Sequence, residues 1–401
     1  MNNFTSIVDL EQASPVLTVC VPMRFPQESA IRDQTIEFWI DKARRFDYVE
    51  IVFVFNGRAA TTVSNGIEAG VPSDLRGRIS CFSVLDSSSK AANVNRGLIA
   101  ARGEVFAIFD ADSRPTDECL SRGTGIVEIS GGDVGLVQGV KIIRRPQAGA
   151  SIVERIVYSI VELEHCINYW YYMPLRLRRY NHSYCAGSNM FARTKGLCDF
   201  GLDEDVLVED VDLSMRVAAS GGRSSCDVGL ICFEDAPPNF SALVRQRRRW
   251  FNGWMAATRK NGRGIANQSL KTRDWRLAGF WLVTVTVQIR IAISLVLIVL
   301  FGCVATDLPY ALVASITIFL IWLHGLRLMF VARRRIRASV DVRVIAAALD
   351  GSRMRQSFGV FLLPFYVLLM LSSWIAIFVG KRNRWEVTPR SPAYLSKASP
   401  R

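Results

Sequence analysis

Two aspartates separated by a single residue follow a short apolar run in the first third of the chain. Asp110 and Asp112 come directly after residues 105–109, which have the composition of a buried strand. In extended backbone, residues two apart point to one face, so both carboxylates can converge at the strand end. Such hard oxygen ligands suit Mg²⁺ or Mn²⁺, which need only one or two carboxylates when a diphosphate supplies other oxygens. A capped turn is the alternative explanation of the spacing.

Further polar residues stand beside neighbouring apolar segments. Asn56 and Gly57 follow residues 49–55, and Lys90 with Asn95 precedes residues 105–109. The Asn56 amide can hydrogen-bond a nucleobase, and Lys90 can contact a phosphate as a point charge. The alternatives are a plain turn at Asn56 and a solvated helix start at Lys90.

A pair of carboxylates, Glu209 and Asp210, opens an amphipathic segment over residues 211–219, directly after an acidic loop. A carboxylate at a helix N-terminus commonly serves as a cap or as a partner of the helix dipole. It can also act as a general base that takes a proton from an attacking hydroxyl. The spacing alone leaves both interpretations open.

The densest local pattern is Gln246-Arg247-Arg248-Arg249-Trp250. On a helix, Gln246, Arg249 and Trp250 fall at i, i+3 and i+4 and share one face. That face offers an amide for hydrogen bonds, a guanidinium for a diphosphate, and an aromatic plate for a sugar or base. Arg247 and Arg248 are expected to point elsewhere, towards lipid phosphates. An interfacial amphipathic helix is the competing interpretation.

Short apolar segments alternate with longer amphipathic ones from residue 15 to about residue 231. The pattern predicts strands over 16–21, 49–55, 79–84, 105–109 and 134–137, and helices over 27–46, 90–101 and 117–130. This alternation indicates an α/β fold with a largely parallel sheet, whose ligands bind beyond the carboxyl ends of the strands. Residues 151–172 are predicted to form a packing helix, in which a metal role for His165 is disfavoured.

Charge is distributed unevenly along the 401 residues, of which 50% are hydrophobic. Residues 1–240 carry 24 basic and 31 acidic side chains, whereas residues 241–276, 331–358 and 381–401 supply the excess behind the net +13. A nucleic-acid binder more often spreads basic residues over its folded domain, so that class is disfavoured. Basic segments beside apolar runs are typical of cytoplasmic membrane borders.

Three apolar segments, residues 277–305, 311–332 and 358–380, approach or exceed the roughly 20 residues needed to span a bilayer. The chain is therefore expected to comprise a domain over 1–260, a membrane domain over 261–380 and a basic tail over 381–401. The polar start lacks the features of a signal peptide. Nine cysteines without a Cys-x-x-Cys pair fit reduced, cytosolic thiols.

Taken together and in this order, the motifs resemble the membrane-bound family 2 glycosyltransferases, which include cellulose, hyaluronan and chitin-oligosaccharide synthases. The resemblance covers roughly residues 15–260. It runs through Lys90-Ala91-Ala92-Asn93-Val94-Asn95, Asp110-Ala111-Asp112, Gly187-Ser188-Asn189, Glu209-Asp210, Glu234-Asp235-Ala236-Pro237 and Gln246-Arg247-Arg248-Arg249-Trp250. It implies a cytosolic α/β domain of the GT-A type, followed by C-terminal transmembrane helices in the cell membrane.

The resemblance also implies an inverting, single-displacement transfer from a nucleotide-diphosphate sugar. By this match Asp210 is the catalytic base, and Asp110 with Asp112 holds Mg²⁺ or Mn²⁺. The residues implied in donor binding are Asn56, Lys90, Asp110, Asp112 and Arg249, and those implied in acceptor binding are Ser188, Asn189, Glu209, Gln246 and Trp250. Residues 385–390 look like a gating loop in which Thr388 and Arg390 fold over the donor, with a disordered basic tail as the alternative.

Two features depart from the family. Asn56 stands where the family often has an aspartate, and no transmembrane helix is expected before the α/β domain. The second departure favours short products or lipid acceptors over a secreting polymerase. The expected reaction is transfer from a UDP-sugar to a growing oligo- or polysaccharide with a β-linkage.

Two alternatives remain beside that reaction. Sugar transfer to a lipid or polyprenyl phosphate fits the same motifs. A non-catalytic membrane scaffold predicts loss of an essential carboxylate, yet Asp110, Asp112 and Asp210 are all present. The expected partners are the donor, a saccharide or lipid acceptor, the bilayer, and a second copy or an export partner.

Overall fold

The computed structural model describes residues 15–57, 60–85, 89–125, 135–147 and 149–285, with a few single positions and short pieces between residues 316 and 388. The described strands form one eight-stranded sheet in the order β3-β2-β1-β4-β7-β6-β8-β5. They are β1 Leu17–Phe25, β2 Val49–Gly57, β3 Ile79–Val84, β4 Val105–Ile108, β5 Arg114–Pro115, β6 Gly135–Ile143, β7 Met190–Arg193 and β8 Arg223–Glu234.

Most neighbouring strands run in the same direction. Strands β3, β2, β1 and β4 run parallel to one another, and β6 is parallel to β8. Strand β7 pairs antiparallel with β4 and β6, and β5 pairs antiparallel with β8. The α/β architecture with a largely parallel sheet is therefore confirmed. Because parallel strands end at the same edge, this topology gathers the residues that follow β1, β2 and β4 at one rim.

Helices cover the sheet, and further helical residues follow over 275–285. The helices with bounds at both ends are α1 Arg32–Arg45, α2 Ala60–Gly70, α3 Lys90–Ala100, α4 Asp117–Thr124, α5 Ile152–Ile167, α6 Met173–Tyr180, α7 Thr194–Phe200, α8 Glu209–Ala219 and α9 Phe240–Thr272. A π-helical turn over Asn168–Tyr172 joins α5 to α6. The packing helix predicted over 151–172 is present, and the ring Nδ1 of His165 lies 2.9 Å from the Val161 carbonyl oxygen of the same helix.

Both faces of the sheet are buried. Alternate residues of β1 and β2, such as Val21 and Phe53, pack with Trp39 of α1 on one face. Their neighbours, such as Cys20 and Val54, pack with α3 on the other face. Burial on both faces explains the continuous apolar runs from which the strands were predicted.

Strands β1, β2 and β6 extend further than predicted. In β2 and β6 the apolar criterion ended the segment early, because polar residues interrupt the run, Asn56 in β2 and Gln138 and Lys141 in β6. In the structure these polar residues are buried, with Asn56 at 0% and Lys141 at 7% exposure. They are held by hydrogen bonds at the rim, so the strand continues past the first polar side chain.

The 33-residue helix α9 runs unbroken across residue 260, where a domain boundary was expected. Asn261 Nδ2 donates a hydrogen bond to Asp212 Oδ1 of α8 at 2.8 Å, and Ile265 is buried. These contacts attach the second half of α9 to the α/β domain. The expected boundary at residue 260 therefore falls inside a helix of that domain.

Among the described residues, no helix has the length and hydrophobicity required to cross a membrane. Most of the three apolar segments over 277–305, 311–332 and 358–380 lie outside the described residues. The membrane domain stays a prediction.

Candidate active site

The two aspartates that follow β4 lie at the carboxyl rim of the sheet in different environments. Asp112 is 3% exposed, and its Oδ2 accepts a hydrogen bond from the backbone N–H of Asp235 at 3.1 Å. The Asp110 side chain is 30% exposed. Asp235 itself follows β8 and is paired with Arg144 at 2.5 Å. The rim therefore holds the Asp112 carboxylate rigidly and leaves the Asp110 carboxylate partly exposed.

Lys90, the first residue of α3, connects the aspartate pair to the segment around Asp210. Its Nζ lies 2.6 Å from Asp110 Oδ1 and 3.5 Å from Glu209 Oε1, and it donates to the Gly187 carbonyl at 2.6 Å. Burial acts to lower the pKa of Lys90, but Asp110 and Glu209 outweigh it and the pKa is raised. The ammonium thus stays charged among carboxylates, at the place where a phosphate contact was predicted.

The carboxylate of Asp210 lies at the start of α8 and accepts a hydrogen bond from the Val211 N–H at 2.7 Å. Burial and the neighbouring Glu209 raise the pKa of Asp210 to about 7, against the opposing effect of Lys90. A carboxylate with a pKa near the working pH is suited to accept a proton in a transition state. The N-cap position of α8 is Val208 and no side chain caps the helix there, so Asp210 is not the cap, and its role as a base stays a prediction.

A glycine allows the chain to pass between Lys90 and Asp210. Gly187 has φ +73°, and a Cβ at this position would lie 2.9 Å from Asp210 Oδ2 and 3.3 Å from Lys90 Nζ. Any side chain here would push on both charged groups as well as strain the backbone. The Gly187-Ser188-Asn189 motif thus begins with a residue whose lack of a side chain leaves space for Lys90 and Asp210.

Ser188 and Asn189 lie beneath the rim, which corrects their predicted contact with an acceptor. Both side chains are 0% exposed. Ser188 Oγ accepts a hydrogen bond from the Asp110 N–H at 3.1 Å and lies 2.7 Å from Ser113 Oγ. Asn189 Nδ2 donates to one carbonyl that follows the bulge in β6 and to one in β8, at 3.0 and 2.8 Å. Their buried side chains hold Asp110 and the strands in place.

Two buried residues at the site, Lys141 and Glu234, were not predicted to have a charge role. Lys141 Nζ lies 3.3 Å from Glu234 Oε1 and donates to the Ala186 carbonyl at 2.7 Å. Burial raises the pKa of Glu234 in opposition to Lys141, and nearby Asp112 and Asp110 raise it further. A lysine within the apolar run of β6 was the available signal, since a buried charge requires a partner.

The predicted face of α9 approaches the start of α8. Gln246, Arg249 and Trp250 are all partly exposed, and Gly253 follows them on the same side of the helix. A Cβ on Gly253 would lie 2.1 Å from Val208 Cγ2. Because Val208 directly precedes Glu209 and Asp210, this close contact brings the α9 face towards the candidate base.

Arg247 was expected to point away towards lipid phosphates, and this expectation is wrong because its side chain is buried within the protein. It is 3% exposed, its Nη2 pairs with Glu164 Oε2 of α5, and its Nη1 donates to Gln246 Oε1 at 2.6 Å. Its guanidinium carbon lies 4.1 Å from the centre of the Trp250 ring. The sequence could not reveal this placement, because the carboxylate partner comes from a helix more than 80 positions earlier.

The close approach at Gly253 makes a testable prediction about stability. We expect Gly253→Ala to lower the free energy of unfolding by about 1–3 kcal/mol, because the added methyl overpacks against Val208. The matched control is Gly66→Ala in α2, where a Cβ meets nothing within 4 Å. We expect that change to be stabilising by up to about 1 kcal/mol through helix propensity. Chemical denaturation of both variants checks the pair, and equal effects would contradict the packing described.

The aspartate pair fits a divalent ion only if a substrate supplies further ligands. Within the described part of the chain, no group of three or more His, Cys, Asp or Glu side chains could hold a metal ion. Two carboxylates at the open rim are nevertheless sufficient for Mg²⁺ or Mn²⁺ that also binds diphosphate oxygens. Asp110 and Asp112 therefore suit an ion delivered with a nucleotide.

Of the remaining predicted residues, Asn56 and Thr388 are described and buried. Asn56 Nδ2 donates to the Ser89 carbonyl at 3.1 Å, and its buried Oδ1 has no hydrogen-bond partner among the described residues. Thr388 is buried at 8% exposure, whereas Arg390 lies outside the described residues. The nucleobase and gating roles stay predictions.

Comparison with known proteins shows the family to which this chain belongs. The family model described as "Glycosyl transferase family group 2" matches residues 105–332, which is more than half of the chain. The chain therefore belongs to glycosyl transferase family group 2. Its α/β fold is of the GT-A type, and the domain that carries the candidate site is a glycosyltransferase domain.

Individual relatives are distant. The probable glycosyltransferase YdaM of Bacillus subtilis is 22% identical over 244 residues, which is 60% of this chain but only 55% of that protein. The mannosyltransferase PcManGT from Pyrobaculum calidifontis, solved in complex with GDP-Man and Mn²⁺, has a TM-score of 0.47 and 18% identity, covering 80% of this chain and 87% of that one. S. aureus TarS 1–349 in complex with UDP has a TM-score of 0.44 and 14% identity, covering 92% and 94%.

Proposed function

We propose that this protein is an inverting membrane glycosyltransferase that transfers a sugar from a nucleoside-diphosphate donor, UDP-linked in our expectation, to a growing oligo- or polysaccharide through a β-linkage. The observation that carries the proposal is the position of the Lys90 ammonium. It contacts Asp110 on one side and Glu209 and Gly187, both beside Asp210, on the other. Lys90 thereby joins the carboxylates that we assign to donor binding and the one that we assign as the general base.

The chemistry assigned to these residues is a single displacement. Asp210 accepts the proton of an acceptor hydroxyl while that oxygen bonds to the anomeric carbon and the bond to the diphosphate breaks. The departing diphosphate gains negative charge, and in this proposal Lys90 at the rim and Arg249 on α9 stabilise it. A divalent ion bound by Asp110 and Asp112 would supply further positive charge to the leaving group.

The acceptor is assigned to the exposed face of α9. The Gln246 amide offers hydrogen bonds to sugar hydroxyls, and the Trp250 indole offers a flat surface for a sugar ring. Membrane attachment is proposed from the apolar segments over 277–305, 311–332 and 358–380 and the basic stretches that flank them. In this arrangement the α/β domain is cytoplasmic, and a second copy or an export partner would complete a path for a long product.

A lipid acceptor is the second candidate, and exposed apolar side chains in the last turn of α9 and in the helical segment after it favour it. Leu270, Trp275 and Leu282 are 61%, 67% and 55% exposed, and Arg273 and Arg276 lie between them in the sequence. Exposed apolar side chains mixed with arginines suit the interface of a bilayer. Such a surface would bring a lipid-linked acceptor close to the domain.

The pH dependence tests the base assignment. Because Asp210 must be ionised to accept a proton and its pKa is raised to about 7, we expect kcat/KM to fall as the pH drops through about 7. Glu209→Gln removes a charge that raises this pKa, so the acid limb should move to lower pH. Lys90→Met removes a charge that lowers it, so the limb should move to higher pH. If the acid limb of the kcat/KM profile lies at the wild-type pH in both variants, the titrating group is not Asp210.

The proposed activity is tested by nucleotide release from a panel of UDP-, GDP- and dTDP-sugars, using detergent-purified protein with and without added lipid. Products are sized by mass spectrometry. Turnover of one donor with a ladder of products supports the saccharide acceptor, whereas a single sugar on a lipid supports the second candidate. No release from any donor, with either acceptor supplied, would contradict both.

A further inference from the structure

Arg247 makes three different contacts within the proposed acceptor region. Its Nη1 donates to Gln246 Oε1 at 2.6 Å, its guanidinium lies 4.1 Å over the Trp250 ring, and its Nη2 pairs with Glu164. With only 3% of its surface exposed, Arg247 is itself out of reach of a substrate. It contacts two residues that are partly exposed and to which acceptor binding has been assigned.

Each contact restricts how its neighbour can bind a sugar. The amide of Gln246 carries an oxygen at one end and two N–H donors at the other. Because the oxygen is held by Arg247, the donor end is the one left to face an acceptor hydroxyl. Likewise, the guanidinium covers one face of Trp250, so a sugar ring stacked on this indole must use the opposite face.

The orientation of Arg247 depends in turn on Glu164. A guanidinium buried to this extent requires a charged partner, and the Glu164 carboxylate supplies it from α5. Glu164 stands one turn before the π-helical turn Asn168–Tyr172, in a helix that carries none of the predicted site residues. An acidic residue far from the motif thus fixes the direction of the two side chains beside Arg247.

We infer that Glu164, acting through the buried Arg247, is a positioning residue that sets the Gln246 amide and the Trp250 ring for the acceptor. This inference rests on the proposed function for the identity of the acceptor face. The contacts that Arg247 makes hold whether or not the acceptor is a saccharide. Loss of the pair should therefore affect recognition of the acceptor and leave the donor site intact.

The kinetic test compares Glu164→Gln and Arg247→Met with the control Arg245→Met. The control removes an arginine charge, as Arg247→Met does, but from an exposed position of α9. In the described structure the Arg245 guanidinium bonds only Ser241. We expect Arg247→Met to raise the acceptor KM by about tenfold, as for loss of a hydrogen bond to a charged group, and Glu164→Gln to raise it by about threefold. The donor KM should stay within about twofold in all three. Adding Glu164→Gln to Arg247→Met should change the acceptor KM no further. Independent, multiplying effects in the double variant would overturn the inference.

A second measurement does not depend on activity. The full chain is labelled with 5-fluorotryptophan, and the Trp250 resonance is assigned from its loss in Trp250→Phe. We expect this resonance to move in Glu164→Gln and in Arg247→Met but not in Arg245→Met. If no donor is turned over, the proposed function fails while the fluorine spectra still test the orientation. An unmoved Trp250 resonance in Glu164→Gln and in the milder variant Arg247→Lys would overturn the inference in a fully folded protein.

Discussion

We expect Asp210→Asn to reduce glycosyl transfer by about a thousandfold while leaving the affinity for the donor nucleotide unchanged. General bases contribute roughly 10²–10⁴ to the rates of enzymes. An asparagine preserves the shape of the side chain and can still accept the Val211 N–H, which bonds Oδ1 at 2.7 Å in the wild type. It cannot accept the acceptor's proton, however, so the chemical step should fail without a change in the local fold.

The matched control for this experiment is Asp205→Asn, an exposed aspartate in the acidic loop just before α8. It removes the same charge from the same region without touching the rim, and turnover should stay within about twofold of the wild type. Donor affinity is measured by calorimetry and turnover by nucleotide release. Wild-type turnover in Asp210→Asn would remove Asp210 as the base.

Removal of divalent metal has the second largest expected effect. Treatment with EDTA should lower transfer by at least about a hundredfold, since charge stabilisation by a metal is worth several kcal/mol. Mn²⁺ or Mg²⁺ added in excess of the chelator should restore it. The physical reason is that, without a cation, the negative charges of Asp110 and Asp112 repel the negatively charged diphosphate of the donor.

The same metal prediction extends to one substitution. Asp112→Asn should weaken activation by the metal, because the buried carboxylate is the more rigidly held of the two. Asp74→Asn, whose side chain is 59% exposed beside Arg44, is the control and should leave the metal dependence unchanged. Full activity of the wild type after exhaustive chelation would show that the lysines at the rim are sufficient without a metal.

The charges of the site explain why we expect it to need a divalent cation. Its carboxylates outnumber its ammonium groups, the former being Asp110, Asp112, Glu209, Asp210 and Glu234 and the latter Lys90 and Lys141. An anionic donor would be repelled by this set alone. Burial, and after it the neighbouring Glu209, raises the pKa of Asp210 to about 7. A cation that arrives with the donor would therefore serve binding as well as the leaving group.

The positions of β1, β2, β3, β4 and β6 along the chain could be predicted, because their hydrophobic patterning is local, whereas the far ends of β1, β2 and β6 could not. The aspartates after β4 and the carboxylates that open α8 were found this way, since each stands at a clear boundary between apolar and polar sequence. The antiparallel strand β7 was not predicted. Its four residues, Met190–Arg193, pair between β4 and β6 only in the folded sheet.

The roles that the sequence missed depend on contacts between distant segments. Lys141 lies in a strand that reads as apolar, and only the fold places it 3.3 Å from Glu234. Arg247 stands within a run of three arginines, which predicts a solvated or lipid-facing set. Its burial depends on the ion pair with Glu164 of helix α5, which the local sequence does not indicate. Partners of buried charges are tertiary information, and local spacing does not contain them.

The most direct test of a single displacement with Asp210 as base is the configuration of the first product. A donor with an α-linked sugar is incubated with the protein and acceptor, and the anomeric proton of the new linkage is followed by NMR from the earliest times. We expect a β-linkage from the first turnover, because the acceptor oxygen attacks opposite the departing diphosphate. A product that retains the α-configuration would contradict this expectation and would require a different role for Asp210.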